Sequence, residues 1–214
     1  MTAAVWMRIV LKELYGIRPG DIEWFNSRPP GVSHGKNIGE TLAPGIILTR
    51  ANRSGELEDK LQRGELDAAF ADRITIAALA RVPSVRPLFG PGEAAQVMGA
   101  FRRKTGLTPV NHVLILQQHL VDRYPDLAMQ LYTAFERSKQ EAYERARRSA
   151  AGYLLFAKDV FTQQAAVFGD DPFPSGLAAN RNMLATLARA SLDEGLLTSM
   201  PDIDMLFCEA TRST

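Results

Sequence analysis

The sequence predicts an α/β fold that gives way to a helical C-terminal third. Three observations carry that reading. Short apolar runs bounded by Pro and Gly alternate with amphipathic stretches as far as about residue 120. Beyond it, long stretches keep apolar residues at helical spacing. The composition is that of an ordinary globular protein, 46% hydrophobic and 23% charged over 214 residues, enough for one large domain or two small ones. The expected organisation is an α/β region over residues 1–120 and a helical region over 121–214.

The elements follow in order. Val5, Trp6, Ile9, Val10 and Leu14 recur at helical spacing, which predicts a helix over residues 2–15 with Thr2 as N-cap and Gly16 as the stop. The chain therefore opens on a helix with no strand to feed it, an oddity for an α/β domain. Asp21–Phe25 reads as a first strand between Arg18-Pro19-Gly20 and the Pro/Gly-rich stretch that begins at Ser27. Gly45–Thr49 reads as a second. Ser54 is placed to cap a short helix carrying Leu57 and Leu61, which ends at Gly64. Leu66–Ala71, Val85–Phe89 and Val110–Leu116 read as further strands, with a helix over 92–104 between the last two. Pro125–Ser149 is a long helical run with Leu127, Leu131, Phe135 and Ala142 on one side. Its Glu141/Arg145 and Glu144/Arg148 pairs stand at the favourable i,i+4 spacing. Ala151–Phe168 and Leu177–Glu194 are two more helices, and the tail holds a short hydrophobic piece, Ile203–Phe207.

Charge and cysteine content exclude several classes. Lys plus Arg is 25 and Asp plus Glu is 24, a net charge of +1, without the basic excess of a nucleic-acid binder. Cys208 is the one cysteine, so neither a disulfide within the chain nor a cysteine-rich zinc site can form. No apolar run approaches the ~18 residues of a membrane span. Met1–Gly16 carries Arg8, Lys12 and Glu13 within its apolar pattern, unlike a signal peptide, so the expected location is the cytosol. A glycine-rich phosphate loop, a Gly-x-Ser-x-Gly elbow and a His-Glu-x-x-His helix are all absent.

Chemistry must then come from scattered polar groups. His112 stands inside the apolar run Val110–Leu116, either as a hydrogen-bonded core histidine or as a general acid or base titrating near neutral pH. His119 is expected in a solvated loop and His34 in the Gly/Pro-rich loop, and the three histidines form no metal-binding cluster. Arg73 follows an apolar strand at its carboxyl end, where α/β proteins bind ligands. It either grips a carboxylate there or pairs with Asp72. Thr2 opens the first helix as a plain N-cap or as part of an anion seat. Asn180 and Arg181, in the turn that enters the last helix, face solvent or a cleft. Trp24 is a core residue or a cleft wall.

Five blocks, MTAAVWMRIVLKELYGIRPGDIEW, GELDAAFADR, TGLTPVNHVLIL, LYTAFERSKQEAYER and GDDPFPSGLAANRNML, run in the order seen in 4,5-dihydroxyphthalate decarboxylases. The chain resembles that family from Met1 to about Phe207. The resemblance implies a periplasmic-binding-protein-like type II fold, two α/β lobes around a ligand cleft. It also implies that the stretch beginning at Met1 corresponds to the start of the second lobe, so that the first lobe is absent here. Exposed apolar surface and self-association, as a homo-oligomer, are then expected, and whether the chain alone is active is left open.

The implied reaction is loss of carbon dioxide from an aromatic dicarboxylate bearing two hydroxyls, giving protocatechuate. A hydroxyl para to the departing carboxylate pushes electrons into the ring, so the expectation is no cofactor and no metal. On this reading Arg73 and the Thr2 helix start hold carboxylate, His112 carries the proton, Asn180 orients a hydroxyl and Trp24 walls the ring. The expected partner is a small aromatic or carboxylate ligand. The same fold more often captures solutes, so the alternative is a binding protein of an ABC-type transporter, periplasmic if a signal peptide lies upstream of Met1.

Overall fold

The computed structural model describes residues 2–28, 42–70, 76–77, 79–90 and 92–214. Arg73 and His34 lie outside these residues. The elements are α1 (Thr2–Tyr15), β1 (Glu23–Asn26), β2 (Ile47–Arg50), α2 (Glu56–Gln62), α3 (Glu93–Thr105), α4 (Gln118–Arg123), α5 (Leu127–Tyr153), α6 (Ala157–Phe168) and α7 (Leu177–Asp193). Single 3-10 turns stand at Pro19–Asp21, Asp204–Leu206 and Glu209–Thr211. The chain divides into two compact units. One is Met1–Met98 with Ala190–Thr198, and the other is Gly99–Arg189 with Ser199–Thr214.

In the first unit α1 buries Val5, Trp6 and Ile9, the i, i+1, i+4 set that the periodicity predicts. β1 and β2 pair in parallel, Glu23 opposite Ile47 and Asn26 opposite Arg50. Both strands start two residues later than predicted, the first because the Pro19–Asp21 turn takes up the front of its run. Leu57 and Leu61 of α2 cluster with Leu79, and Phe25, Leu66 and Val85 pack against them. The cap of α2 is Gly55 rather than Ser54, at φ 79° and without a side-chain bond. Glu56 reaches back instead, its carboxylate accepting the Asn52 amide at 2.7 Å.

The remaining predicted strands differ from expectation. Among the described residues the sheet has two strands, and Leu66–Phe70, Val85–Phe89 and Val110–Leu116 are not part of it. Phe70, Leu88, Val113, Leu114 and Ile115 are exposed. Apolar composition marks a segment for burial, but a parallel strand forms only where a neighbour offers a ladder and covered faces.

In the second unit the helices dominate. Phe101 of α3 is wholly buried, and Gly99 lies beside Val167 of α6, which a Cβ there would meet at an ordinary contact distance of 3.6 Å. His119 lies on the exposed first turn of α4 rather than in a loop. α5 runs four residues past its predicted end and stops where Leu154 turns extended, so residues 151–153 belong to it and not to α6. Its inward face keeps Leu127 and Leu131 half-buried as expected but departs from the expected one further along. Phe135 is exposed, while Ala128, Tyr132, Glu136, Lys139 and Tyr143 are buried or half-buried at i+4, i+3 spacing.

Candidate functional site

In the first unit, Arg8 projects from α1 and makes a two-pronged contact with Glu194, Nε to Oε1 at 2.8 Å and Nη2 to Oε2 at 2.5 Å. Glu194 is 5% exposed, and the Ala43 amide donates to its backbone carbonyl. The Arg8 guanidinium also lies over the Trp24 indole, 5.3 Å from the ring centroid. The indole N–H donates to the Pro19 carbonyl at 2.8 Å. A planar guanidinium satisfies a carboxylate fork and an aromatic face at once.

In the second unit, Lys139 on the inward face of α5 gathers four oxygens. Its ammonium donates to Asp171 Oδ2 at 2.7 Å, the Phe173 carbonyl at 3.1 Å and Ser175 Oγ at 3.3 Å, and lies 2.9 Å from Glu136 Oε1. The Tyr143 hydroxyl and the Phe173 amide both donate to Asp171 Oδ1, at 2.9 and 3.0 Å. Burial opposes the charge on Lys139, but Asp171 and Glu136 outweigh it and raise its pKa above the ordinary lysine value. Burial likewise pushes Asp171 up, yet Lys139, Tyr143 and the Phe173 amide pull it below the usual carboxylate range. Burial and the neighbouring Asp171 carboxylate raise the Tyr143 phenol. Lys139 and Tyr143 come from one block of the resemblance and Asp171, Phe173 and Ser175 from another, so the two blocks meet at this ammonium.

The loop that follows is locked from both sides. Asn180 donates its amide to the carbonyls of Pro174 and Gly176, at 2.7 and 2.8 Å. Thr214 caps α7, accepting the Ala178 amide on its carbonyl and the Leu177 amide on its hydroxyl. Gly176 sits at φ +91°, where a Cβ would stand 2.6 Å from the Thr214 carbonyl carbon. Arg181 forms a two-pronged pair with Asp204, at 2.9 and 2.6 Å.

The predicted site residues are therefore spread out. Thr2 opens α1 and Trp24 lies on β1, both half-buried in the first unit. His112 and Asn180 belong to the second. The described hydrogen bonds and ion pairs join no two of these four residues. His112 is exposed, so it is not a core histidine here. Trp24 is a wall already faced by Arg8, and Asn180 holds a turn.

Sequence reasoning passed over Arg8, Lys139, Tyr143, Asp171 and Glu194. For two of them a signal was available. Arg8 interrupts the apolar face of α1, and Lys139 stands at helical spacing from Tyr132 and Tyr143. Nothing marked Asp171 or Glu194 as their partners.

Two open grooves follow α5. One, of about 610 Å³, is a stripe of that helix's own residues, among them Met129, Thr133 and Arg137. The other, of about 580 Å³, is lined by Gln140, Arg147, Phe161, Thr162, Asp170 and Asp171. Thr2, Trp24, His112 and Asn180 line neither groove. Among the described residues no group of three or more His, Cys, Asp or Glu side chains could hold a metal ion, and no helix is long and apolar enough to cross a membrane.

No family model matches the chain. It is similar to a protein of Comamonas testosteroni named 4,5-dihydroxyphthalate decarboxylase, 29% identical over 198 residues. That alignment takes in 92% of this chain and 59% of the relative, so the chain spans rather less than two thirds of the relative's length. The two proteins are distantly related.

Proposed function

We propose that this chain is a decarboxylase-like protein whose substrate class is an aromatic dicarboxylate, of which 4,5-dihydroxyphthalate is the type. The observation that carries the reading is the similarity to the decarboxylase of Comamonas testosteroni along 92% of the chain.

The chemistry divides into three needs. The retained carboxylate must be gripped, and Arg73 and the start of α1 at Thr2 are assigned that role. A proton must reach the ring carbon from which carbon dioxide departs, and His112, with its exposed imidazole, is assigned to carry it. The para hydroxyl must release its electrons into the ring. Its own deprotonation drives that, with Asn180 orienting the oxygen and Trp24 against the ring. With the pair pushed in from the para oxygen the ring carbon takes up the incoming proton; the carbon–carboxylate bond then breaks, and its electron pair returns through the ring to restore aromaticity. One proton is consumed and one carbon dioxide leaves, with no change of oxidation state in the protein.

The test is to mix the chain with 4,5-dihydroxyphthalate and follow protocatechuate and carbon dioxide together. Turnover supports the assignment. Binding without turnover by this chain and by a longer version of it moves the function to solute capture. His112→Gln should abolish turnover while leaving binding in place, and a variant with full turnover and an unchanged pH profile removes His112 from the reaction. Arg73→Ala should weaken dicarboxylate binding by one or two decades, the ~1.5–3 kcal/mol of a charge-assisted hydrogen bond.

A further inference from the structure

Two helices hold the loop 171–176 between them by alternate residues. Lys139 of α5 takes the Asp171 carboxylate, the Phe173 carbonyl and the Ser175 hydroxyl. Asn180 of α7 takes the carbonyls of Pro174 and Gly176, at 2.7 and 2.8 Å. Pro172, the remaining residue, is buried and has no amide hydrogen to place. The Asn180 contacts fix more than the loop. A backbone carbonyl only accepts hydrogen bonds, so the atom of Asn180 that faces both carbonyls must be its nitrogen. Both amide hydrogens are then spent. The carboxamide cannot turn over without setting its oxygen against two others. Among the described residues nothing donates to that remaining oxygen, Oδ1. Asn180 is half-buried, yet Oδ1 is not sealed away from solvent.

We propose that Asn180 is the residue that selects for a hydroxyl, with Oδ1 accepting a hydrogen bond from a substrate O–H. The proposal rests on the dihydroxyphthalate reading and states what Asn180 demands of such a ligand. The ionised carboxylates of that ligand are acceptors only, and so is the π-face of its ring. Its hydroxyls alone carry a hydrogen to give. An oxygen held outward by two locked donors therefore meets a hydroxyl favourably and a carboxylate unfavourably. It also rejects a group of the same size that has no hydrogen, because the acceptor is then left without a partner. The turn that Asn180 holds and the hydroxyl that it reads are served by opposite ends of one rigid amide.

The experiment compares two ligands, 4,5-dihydroxyphthalate and 4,5-difluorophthalate, by calorimetric titration of the complete chain. Fluorine is close to a hydroxyl in size and has no hydrogen to donate. The parent should bind the dihydroxy compound about tenfold more tightly, within the net range of one hydrogen bond. Asn180→Ala should cut that ratio to about twofold or less. Asn180→Ser, whose shorter side chain withdraws the acceptor, should do the same and stands in should the alanine disturb folding. The ratio is taken within one variant, so a loosened loop or a partly unfolded sample weakens both ligands alike and cancels. Lys139→Met tests this directly. It frees the same loop from the α5 side, keeps the Asn180 oxygen, and should leave the ratio near that of the parent. Equal affinity of the parent for both ligands overturns the proposal, as does a ratio that both Asn180 variants keep or one that Lys139→Met collapses to the same extent. A parent chain that binds neither compound overturns the dihydroxyphthalate reading itself, and this proposal with it.

Discussion

Arg8–Glu194 and Lys139–Asp171 each tie a helix to a stretch of chain far away in sequence, one in each unit, with different hardware. The first is a rigid fork. Two parallel hydrogen bonds and an indole face fix the guanidinium, and the side chains are 17% and 7% exposed. The second is a point charge shared among four oxygens, and its aspartate keeps 32% of its side chain in water. A fork tolerates one geometry and leaves nothing in place of a lost partner. A shared ammonium can lose one ligand and keep the rest. The two units are thus held by pairs that look alike as ion pairs and differ in how much they depend on a single residue.

Removing Arg8 breaks that comparison most severely. Arg8→Met strands a carboxylate that is almost wholly dehydrated, and the expected loss is ~3–5 kcal/mol, read as a fall in the urea midpoint by circular dichroism. Arg8→Lys should recover little of it, because an ammonium reproduces neither the fork nor the stack. Lys139→Met comes next. Asp171 keeps Tyr143, the Phe173 amide and water, so ~1–3 kcal/mol is expected, and Lys139→Arg should be tolerated better than its counterpart at position 8.

The pH dependence sharpens the contrast from the other side. Asp171 titrates below its ordinary value in the folded chain, so its contribution is complete above the ordinary carboxylate range and fades as pH falls through the folded value. Lys139 titrates above its ordinary value, so its contribution is complete below the ordinary lysine range and fades as pH rises through the folded one. The gap in urea midpoint between parent and Asp171→Asn should therefore narrow between pH 7 and pH 3. A constant gap would remove the charge from the account. Smallest of all, Arg137→Ala breaks an i,i+4 contact to Glu141 between side chains that are both mostly in water. It should move stability by no more than ~0.5 kcal/mol.

The helices were legible from the sequence because their signals are local. Thr2, the apolar spacing through Leu14 and Gly16 define α1 within fifteen residues, and Leu177 to Gly195 does the same for α7. Strands depend on a neighbour that sequence spacing does not name. Asp21–Phe25 and Gly45–Thr49 found each other with small shifts. Val110–Leu116, more apolar than either, joins no sheet among the described residues, and its middle lies exposed. The face of α5 misled for a related reason. Leu131 is half-buried as expected, but Phe135 lies exposed, while Lys139 sits on the inward side against the remote carboxylate Asp171. The candidate site was legible only as residue types. His112, Trp24 and Asn180 were recognisable as chemistry-bearing side chains, while the turn that Asn180 holds and the guanidinium that covers Trp24 are tertiary facts.

The Trp24 indole beneath Arg8 has a spectroscopic consequence. The chain has two tryptophans, Trp6 and Trp24, and both belong to the first unit. Intrinsic tryptophan emission therefore reports on that unit alone, while the ellipticity at 222 nm is dominated by the long helices of the second. Coincident transitions would mean that the two units melt as one cooperative body. Separate ones would give each unit its own unfolding free energy, without a label or a cut in the chain.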